Sequence, residues 1–169
     1  MKKICSFCSR VIEESTAPDN MVTHGVCTEC YDRILVRYGF NVKKFLDQLE
    51  SPVFLVDTDV RVLAANTLAL ELGGKQGAAV PGTFCGDVLE CINASRPRGC
   101  GKTDLCPDCR FRESVNETYS TGLPVHRRVA ILVKKDGDIL KNIPLLVSTR
   151  KDGEVVMLRL EPEQGAGTG

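Results

Sequence analysis

The chain has 169 residues, 43% of them hydrophobic and 26% charged, the make-up of a soluble globular protein with room for one medium domain or two small ones. Its 22 basic and 22 acidic residues cancel, which argues against a dedicated nucleic-acid binder, and no apolar run is long enough to span a bilayer. Lys2 and Lys3 are followed by Cys5, Ser6 and Cys8 where a secretory leader would be apolar, so the expected compartment is the cytoplasm. There thiols stay reduced, and nine cysteines point to metal ligation rather than disulfides.

Residues 1–32 open with Cys5-Ser-Phe-Cys8 and close with Cys27-Thr-Glu-Cys30. Each C-x-x-C turn aims two thiolates at one point, and two turns complete a tetrahedron, so these four cysteines are expected to hold a structural zinc. So short a segment cannot bury enough apolar surface to fold alone, and metal binding of roughly 10–16 kcal/mol supplies the deficit. Arg10 to Glu13 and Met21 to Thr23 read as strands of a zinc ribbon, with a turn at Pro18-Asp19-Asn20. His24 reads as a local hydrogen-bonding residue, since four thiols already fill the site. Three basic residues (Lys2, Lys3, Arg10) against five acidic ones (Glu13, Glu14, Asp19, Glu29, Asp32) make this module a poor phosphate binder.

Residues 33–50 read as a connecting helix. Leu35, Tyr38, Val42, Phe45 and Leu49 recur at spacings of three and four, interrupted at Gly39 and restarted at Asn41. Two readings stay open: a homodimer seam that transmits a signal, or an amphipathic helix lying on its own domain.

Residues 51–163 form the second domain, followed by a Gly-rich tail, 164–169, expected to be disordered. Val53 to Val56, the turn Asp57-Thr-Asp59 and Val60 to Ala65 read as a hairpin. Asn66 caps a helix from Thr67 to Leu72 that stops at Gly73-Gly74. Gly86 to Cys91 reads as a short helix delivering Cys91, and Arg112 to Ser120 as a longer one. Val125 to Lys134, Ile139 to Arg150 and Glu154 to Leu160 are strands joined by two Asp-Gly turns.

Between the helices lies a run with five cysteines. Cys91, Cys100, Cys106 and Cys109, spaced C-x8-C-x5-C-x2-C, are the candidate ligands of a second metal centre. Zinc, an iron–sulfur cluster and reversible thiol oxidation all suit this set, and spacing does not separate them. Cys85 is either a buried apolar residue or a replacement for Cys91. Arg96, Arg98, Lys102, Arg110 and Arg112 outnumber Asp104 and Asp108 here. They read as a solvated loop or as partial compensation for a four-thiolate charge. No histidine lies between His24 and His126, which sets haem aside, and Asp108-Cys-Arg-Phe111 lacks the Asn of flavin photosensors.

The segment Val53-Phe-Leu-Val-Asp57, its turn, and Val62-Leu-Ala-Ala-Asn66 resemble the opening of a PAS domain, and the three later strands resemble its second half. Cys91, Cys100-Gly-Lys-Thr103, Cys106 and Cys109 resemble a bacterial PAS subgroup with the pattern C…C-G-x-T-x-x-C-x-x-C. The resemblance implies an α+β fold with a five-stranded antiparallel sheet, helices on one face and a small cavity beneath them. It also implies a sensory signal-transduction module that responds to redox state or a small ligand and acts through a signalling partner; no Ser-His-Asp set, phosphate loop or paired acid–base carboxylates stand out, so no enzymatic activity is expected. The competing reading is a zinc-stabilised interaction scaffold that senses nothing.

Overall fold

The structure, a computed structural model, describes residues 2–6, 8–14, 22–25, 27–30, 33, 41–74 and 81–164. It divides into two compact units, residues 1–41 and 42–169.

In the first unit, β1 (Lys2–Cys5) is the central strand of a three-stranded sheet. It pairs antiparallel with β2 (Val11–Glu14) and parallel with β3 (Val22–Gly25). The two strands expected from sequence therefore exist within two residues of their predicted bounds, but they are not partners of each other. The strand at Lys2–Cys5, too short and charged to stand out as a pattern, lies between them. The expected turn at Pro18-Asp19-Asn20 lies outside the described residues.

The second unit is α+β. Its sheet comprises β4 (Val53–Val56), β5 (Val62–Ala65), β6 (Val125–Asp136), β7 (Ile139–Asp152) and β8 (Val155–Pro162), in the order β5-β4-β8-β7-β6. Every neighbouring pair is antiparallel. The helices are α1 (Val42–Leu46), α2 (Thr67–Leu72), α3 (Cys85–Val88) and α4 (Arg110–Thr121). Strand alternation sends Phe54, Val56, Leu132, Leu145, Val147, Leu158 and Leu160 to the face where Ala69, Leu70, Val88, Leu89 and Val115 pack from the helix side. On the opposite face Val129 and Ile131 are about half exposed.

Local chemistry explains several boundaries. Asp57 Oδ1 accepts from the amides of Asp59 and Arg61, both at 2.9 Å, and so closes the β4–β5 turn. Asn66 is wholly buried and uses both ends of its amide. Its Oδ1 accepts from the Val53 and Ala69 amides, both at 3.0 Å. Its Nδ2 donates to the Ser51 carbonyl at 2.8 Å and to the Leu46 carbonyl at 3.2 Å. One side chain thus caps α2 and ties α1 to the first strand. The late hairpins are tighter than expected: Asp136 pairs with Ile139, and Asp152 with Val155. Gly137 and Gly153 take positive φ at the first central position, as a two-residue II′-type connection requires.

Of the proposed helix seam, Leu35 and Tyr38 lie outside the described residues. A helix does begin at Val42, but its buried residue is Leu46, which the seam pattern omits, while Phe45 is 46% exposed. The tail beyond residue 164 is likewise outside the described residues. No described helix is long and apolar enough to cross a membrane.

Candidate metal centres

The first unit brings together all four N-terminal candidates. The sulfurs of Cys5, Cys8, Cys27 and Cys30 lie within 4.8 Å of one another. Cys5 ends β1, and its turn is closed by the Ser9 amide donating to the Cys5 carbonyl at 2.9 Å, with Ser9 in the left-handed region. The Ser6 amide donates to the Gly25 carbonyl at 2.9 Å, bringing the end of β3 beside the first cysteine pair. The Cys27 amide points at Cys5 Sγ, 3.4 Å away. The Cys8 and Cys27 sulfurs are 3.7 Å apart. Sulfurs bound to one tetrahedral ion at a Zn–S length of 2.3 Å stand about 3.8 Å from each other. The donor set and its spacing therefore fit a zinc-sized ion. His24 sits exposed on β3 and is not part of this set.

Without a cation, this cluster resists ionisation. Burial, followed by the neighbouring thiols Cys27, Cys8 and Cys5, pushes the Cys30 thiol up to about 12. A metal ion reverses that penalty, because each thiolate then faces a positive charge instead of another sulfur.

The second unit gathers the other five cysteines around one cavity of about 50 Å³ between α3, α4 and the sheet. Cys85, Cys91, Cys100, Cys106 and Cys109 all line it, with Val60, Leu89, Phe111 and Leu132 as apolar wall. Among the described residues, only the N-terminal cysteines have three or more sulfurs all within 4.8 Å, so the central thiols share a chamber without that tight approach.

Each central cysteine is placed by a different element. The Cys85 amide donates to the Val60 carbonyl at 3.0 Å, which fixes the start of α3 against the β4–β5 turn. The short helix carries Cys85 rather than Cys91, contrary to the expectation from sequence. Cys91 lies beyond its end, in an extended bridge to Lys134 on β6, where the Ile92 amide donates to the Val133 carbonyl at 2.8 Å. Cys100 packs on Gly86, where a Cβ would lie 2.6 Å from Cys100 Sγ. Cys106 and Cys109, the C-x2-C end of the set, form a knuckle-like turn, with the Cys109 amide donating to the Cys106 carbonyl at 3.1 Å. Cys109 is also the N-cap residue of α4, where the helix dipole favours a negative charge.

Of the five basic residues in this region, Arg96, Arg98, Lys102 and Arg110 are exposed. Arg112 turns inward. Its side chain is 18% exposed and lines the cavity. Nη1 donates to Asp59 Oδ1 at 3.0 Å, while Nη2 is buried with no hydrogen-bond partner. Gly101, at φ +84, makes room for it: a Cβ there would lie 2.4 Å from Nη2. The positive φ of Gly101, next to Cys100, therefore goes with space for a guanidinium. Asn93 Oδ1, on the same cavity, is also buried and unpartnered. Orphaned polar atoms facing one chamber mark a place for water or an ion. A guanidinium is always charged, so the chamber favours an anionic occupant, and a divalent metal on four thiolates carries net negative charge.

The central thiols differ in electrostatics. Burial pushes Cys85, Cys100 and Cys109 up. Near Cys85 the other sulfurs add to this, Cys100 foremost, and near Cys109 the Arg112 and Phe111 amides oppose it. At Cys106 burial is outweighed by Thr103, whose Oγ1 lies 3.0 Å from Sγ, by the Thr103 and Gly101 amides and by Arg112, so this thiol falls below its ordinary value. Arg112 itself is pulled down by burial and raised more by Asp59 and Cys100.

No known family's sequence pattern matches this chain, and no curated protein matches it. Among solved structures it is similar to the PAS domain of nitrogen regulation protein NR(II) from Vibrio parahaemolyticus, at 11% identity over 72% of this chain and 96% of that one, with a TM-score of 0.48. It is similar to the PAS domain of BvgS from Bordetella pertussis, at 15% identity over 77% and 85%, with a TM-score of 0.41. It is also similar to the PAS domain of an HTR-like protein from Haloarcula marismortui, at 10% identity over 80% and 99%, with a TM-score of 0.45.

Proposed function

We propose that this protein is a PAS-like sensory module whose responsive element is a metal centre held by central cysteines, joined to a zinc ribbon held by Cys5, Cys8, Cys27 and Cys30. The observation that carries the reading is the chamber itself: five thiols and one inward-turned, half-satisfied Arg112 around about 50 Å³. The strand order β5-β4-β8-β7-β6 and the Asp57 turn and Asn66 hub support the PAS-like part. A chamber of that size suits an ion and a few water-sized atoms better than an organic ligand, which favours a metal or redox signal.

Cys91, Cys100, Cys106 and Cys109 would hold the second metal, either zinc or the iron of a cluster. Soft thiolates suit both. The module works without catalysis in this reading. It acts in the cytoplasm as a homodimer through the connecting helix and passes its state to a signalling protein. Anaerobic and aerobic purification, each followed by metal analysis and a visible spectrum, tests the proposal. A brown anaerobic sample that bleaches in air supports a cluster sensor. Two zinc ions per chain that respond to oxidant support a zinc–thiol sensor. Two zinc ions indifferent to oxidant would leave the zinc-stabilised scaffold, and one metal per chain would remove the central centre.

A further inference from the structure

Across β6, β7 and β8 runs an open groove of about 270 Å³, lined by His126, Ser148, Arg150, Met157 and Arg159. Strand alternation puts Ser148, Arg150, Met157 and Arg159 on the sheet face turned away from the helices, since Val147, Leu158 and Leu160 between them enter the core. Ser148 stands opposite Arg159 on β8, and Arg150 opposite Met157, so the two arginines are diagonal neighbours within reach of one small ligand. On the other side of Ser148 the β6–β7 register slips between Val125 and Arg128. This bulge carries Arg127 at φ +48, a strained conformation for a side-chain-bearing residue, of the kind that re-aims groups beside binding sites. It sets the Arg127 amide to donate to Ser148 Oγ at 3.0 Å, which leaves the Ser148 hydroxyl hydrogen for another acceptor.

We propose that this groove is a binding site for a phosphate monoester group. Arg61, Arg110, Arg112, Arg127 and Arg128 of the same unit each pair with a carboxylate. Arg150 and Arg159 pair with none among the described residues, and no carboxylate lines the groove. Their charge is therefore left for a ligand. The donors converging there exceed what one carboxylate accepts: two guanidinium forks, the Ser148 hydroxyl and the His126 ring. A phosphate monoester supplies three terminal oxygens and about two negative charges to match them. Met157, half-buried on the groove, offers an apolar rest for the organic side of the ester. A nucleic-acid strand needs a track of cations along its backbone, whereas these are confined to one groove of a chain whose 22 basic and 22 acidic residues cancel. The groove lies across the sheet from the thiol chamber and needs no metal there.

The test titrates the isotope-labelled full chain with phenyl phosphate and follows backbone amides by NMR. Those of His126, Ser148, Arg150 and Arg159 are expected to shift together and to saturate. Arg150→Gln and Arg159→Gln should each weaken binding about tenfold, and both together should abolish it. Arg159→Lys should keep part of it, because an ammonium retains the charge without the fork. Arg96→Gln, at an exposed arginine in the loop before Cys100, should leave the shifts in the groove unchanged. Native positions for the signals of β4 and α2 show that each variant is folded. A phosphoserine peptide serves as second probe: tighter binding than phenyl phosphate assigns the site to a phosphorylated protein segment, and equal binding to free phosphate esters. Benzoate binding as tightly as phenyl phosphate would overturn the inference. So would shifts spread over the exposed lysines and arginines, an equal loss in Arg96→Gln, or no saturable binding.

Discussion

The two cysteine clusters are built on opposite plans. The N-terminal four come from two C-x-x-C turns, and their sulfurs already lie within 4.8 Å of one another. Their nearby cation, Arg10, is exposed and spent on Glu29 at 2.9 Å. The central five come from a helix start, an edge bridge, a loop and an N-cap, and they meet only because the sheet and α4 bring those elements together. Their cation, Arg112, is turned into the chamber with one nitrogen unpartnered. A cluster made by local turns can serve stability and hold its ion tightly. One assembled by tertiary contacts, with a built-in counter-charge, can change its state when those contacts change.

The largest expected effect separates the two clusters by metal removal. If the N-terminal four hold zinc as proposed, stripping it removes about 10–16 kcal/mol of binding free energy that this small unit cannot replace. NMR signals of Lys2–Cys5 and Val11–Glu14 should collapse to unfolded positions under a strong chelator, while those of β6 to β8 persist. Loss of both sets together would break the comparison, since the second unit would then depend on metal equally.

Next in size is the scaffold that makes the central chamber possible. Asn66→Ala removes four hydrogen bonds at a wholly buried site, those from the Val53 and Ala69 amides and those to the Ser51 and Leu46 carbonyls, of which the Leu46 carbonyl keeps the Leu49 amide. Destabilisation of about 2–4 kcal/mol is expected, read as a fall in the melting temperature of the second unit. A change within a few tenths of a kcal/mol would show that the hub is dispensable.

The cation contrast predicts a smaller and more selective effect. Arg112→Met should lower metal affinity at the central centre by about 10–100-fold, as loss of a supporting residue around a metal site typically does. Arg112→Lys should restore part of it. Arg10→Met, at the exposed pair, should leave the N-terminal affinity within about twofold. Competition with a metal-binding dye reads both, and equal effects would erase the distinction.

The smallest effect concerns protons. A thiol raised above its ordinary value is protonated at neutral pH in the metal-free protein, so metal binding must release that proton, and affinity falls as pH falls. The raised Cys30 places the N-terminal cluster in this regime. In the central cluster Cys85, Cys100 and Cys109 are raised but Cys106 is lowered, so fewer protons should leave per thiolate formed there. Calorimetry in two buffers of different ionisation enthalpy measures this, and a larger release per thiolate at the central site would erase the contrast between the clusters.

Much of the scaffold could be read without coordinates because its signals are local. Asn66 before an apolar helix, Gly137 and Gly153 after aspartates, and alternating strands specify their own backbone, and the structure places those elements within a few residues of the reading. The N-terminal four were legible for the same reason: C-x-x-C spacing aims its own sulfurs. Strand pairing in the first unit was not, because β1 shows no pattern of its own and is defined by the partners on either side.

For the central site, the amino-acid order alone determined which thiols exist and that Cys106 and Cys109 share a knuckle. Only the tertiary structure decided that Cys85 joins them, that Cys91 is held by β6 and not by a helix, and that Arg112 alone among five basic neighbours points inward. The physical reason is distance along the chain. Arg112 is held by Asp59, 53 residues away, across a gap that Gly101 leaves open, and neither residue signals the other until the sheet has folded between them.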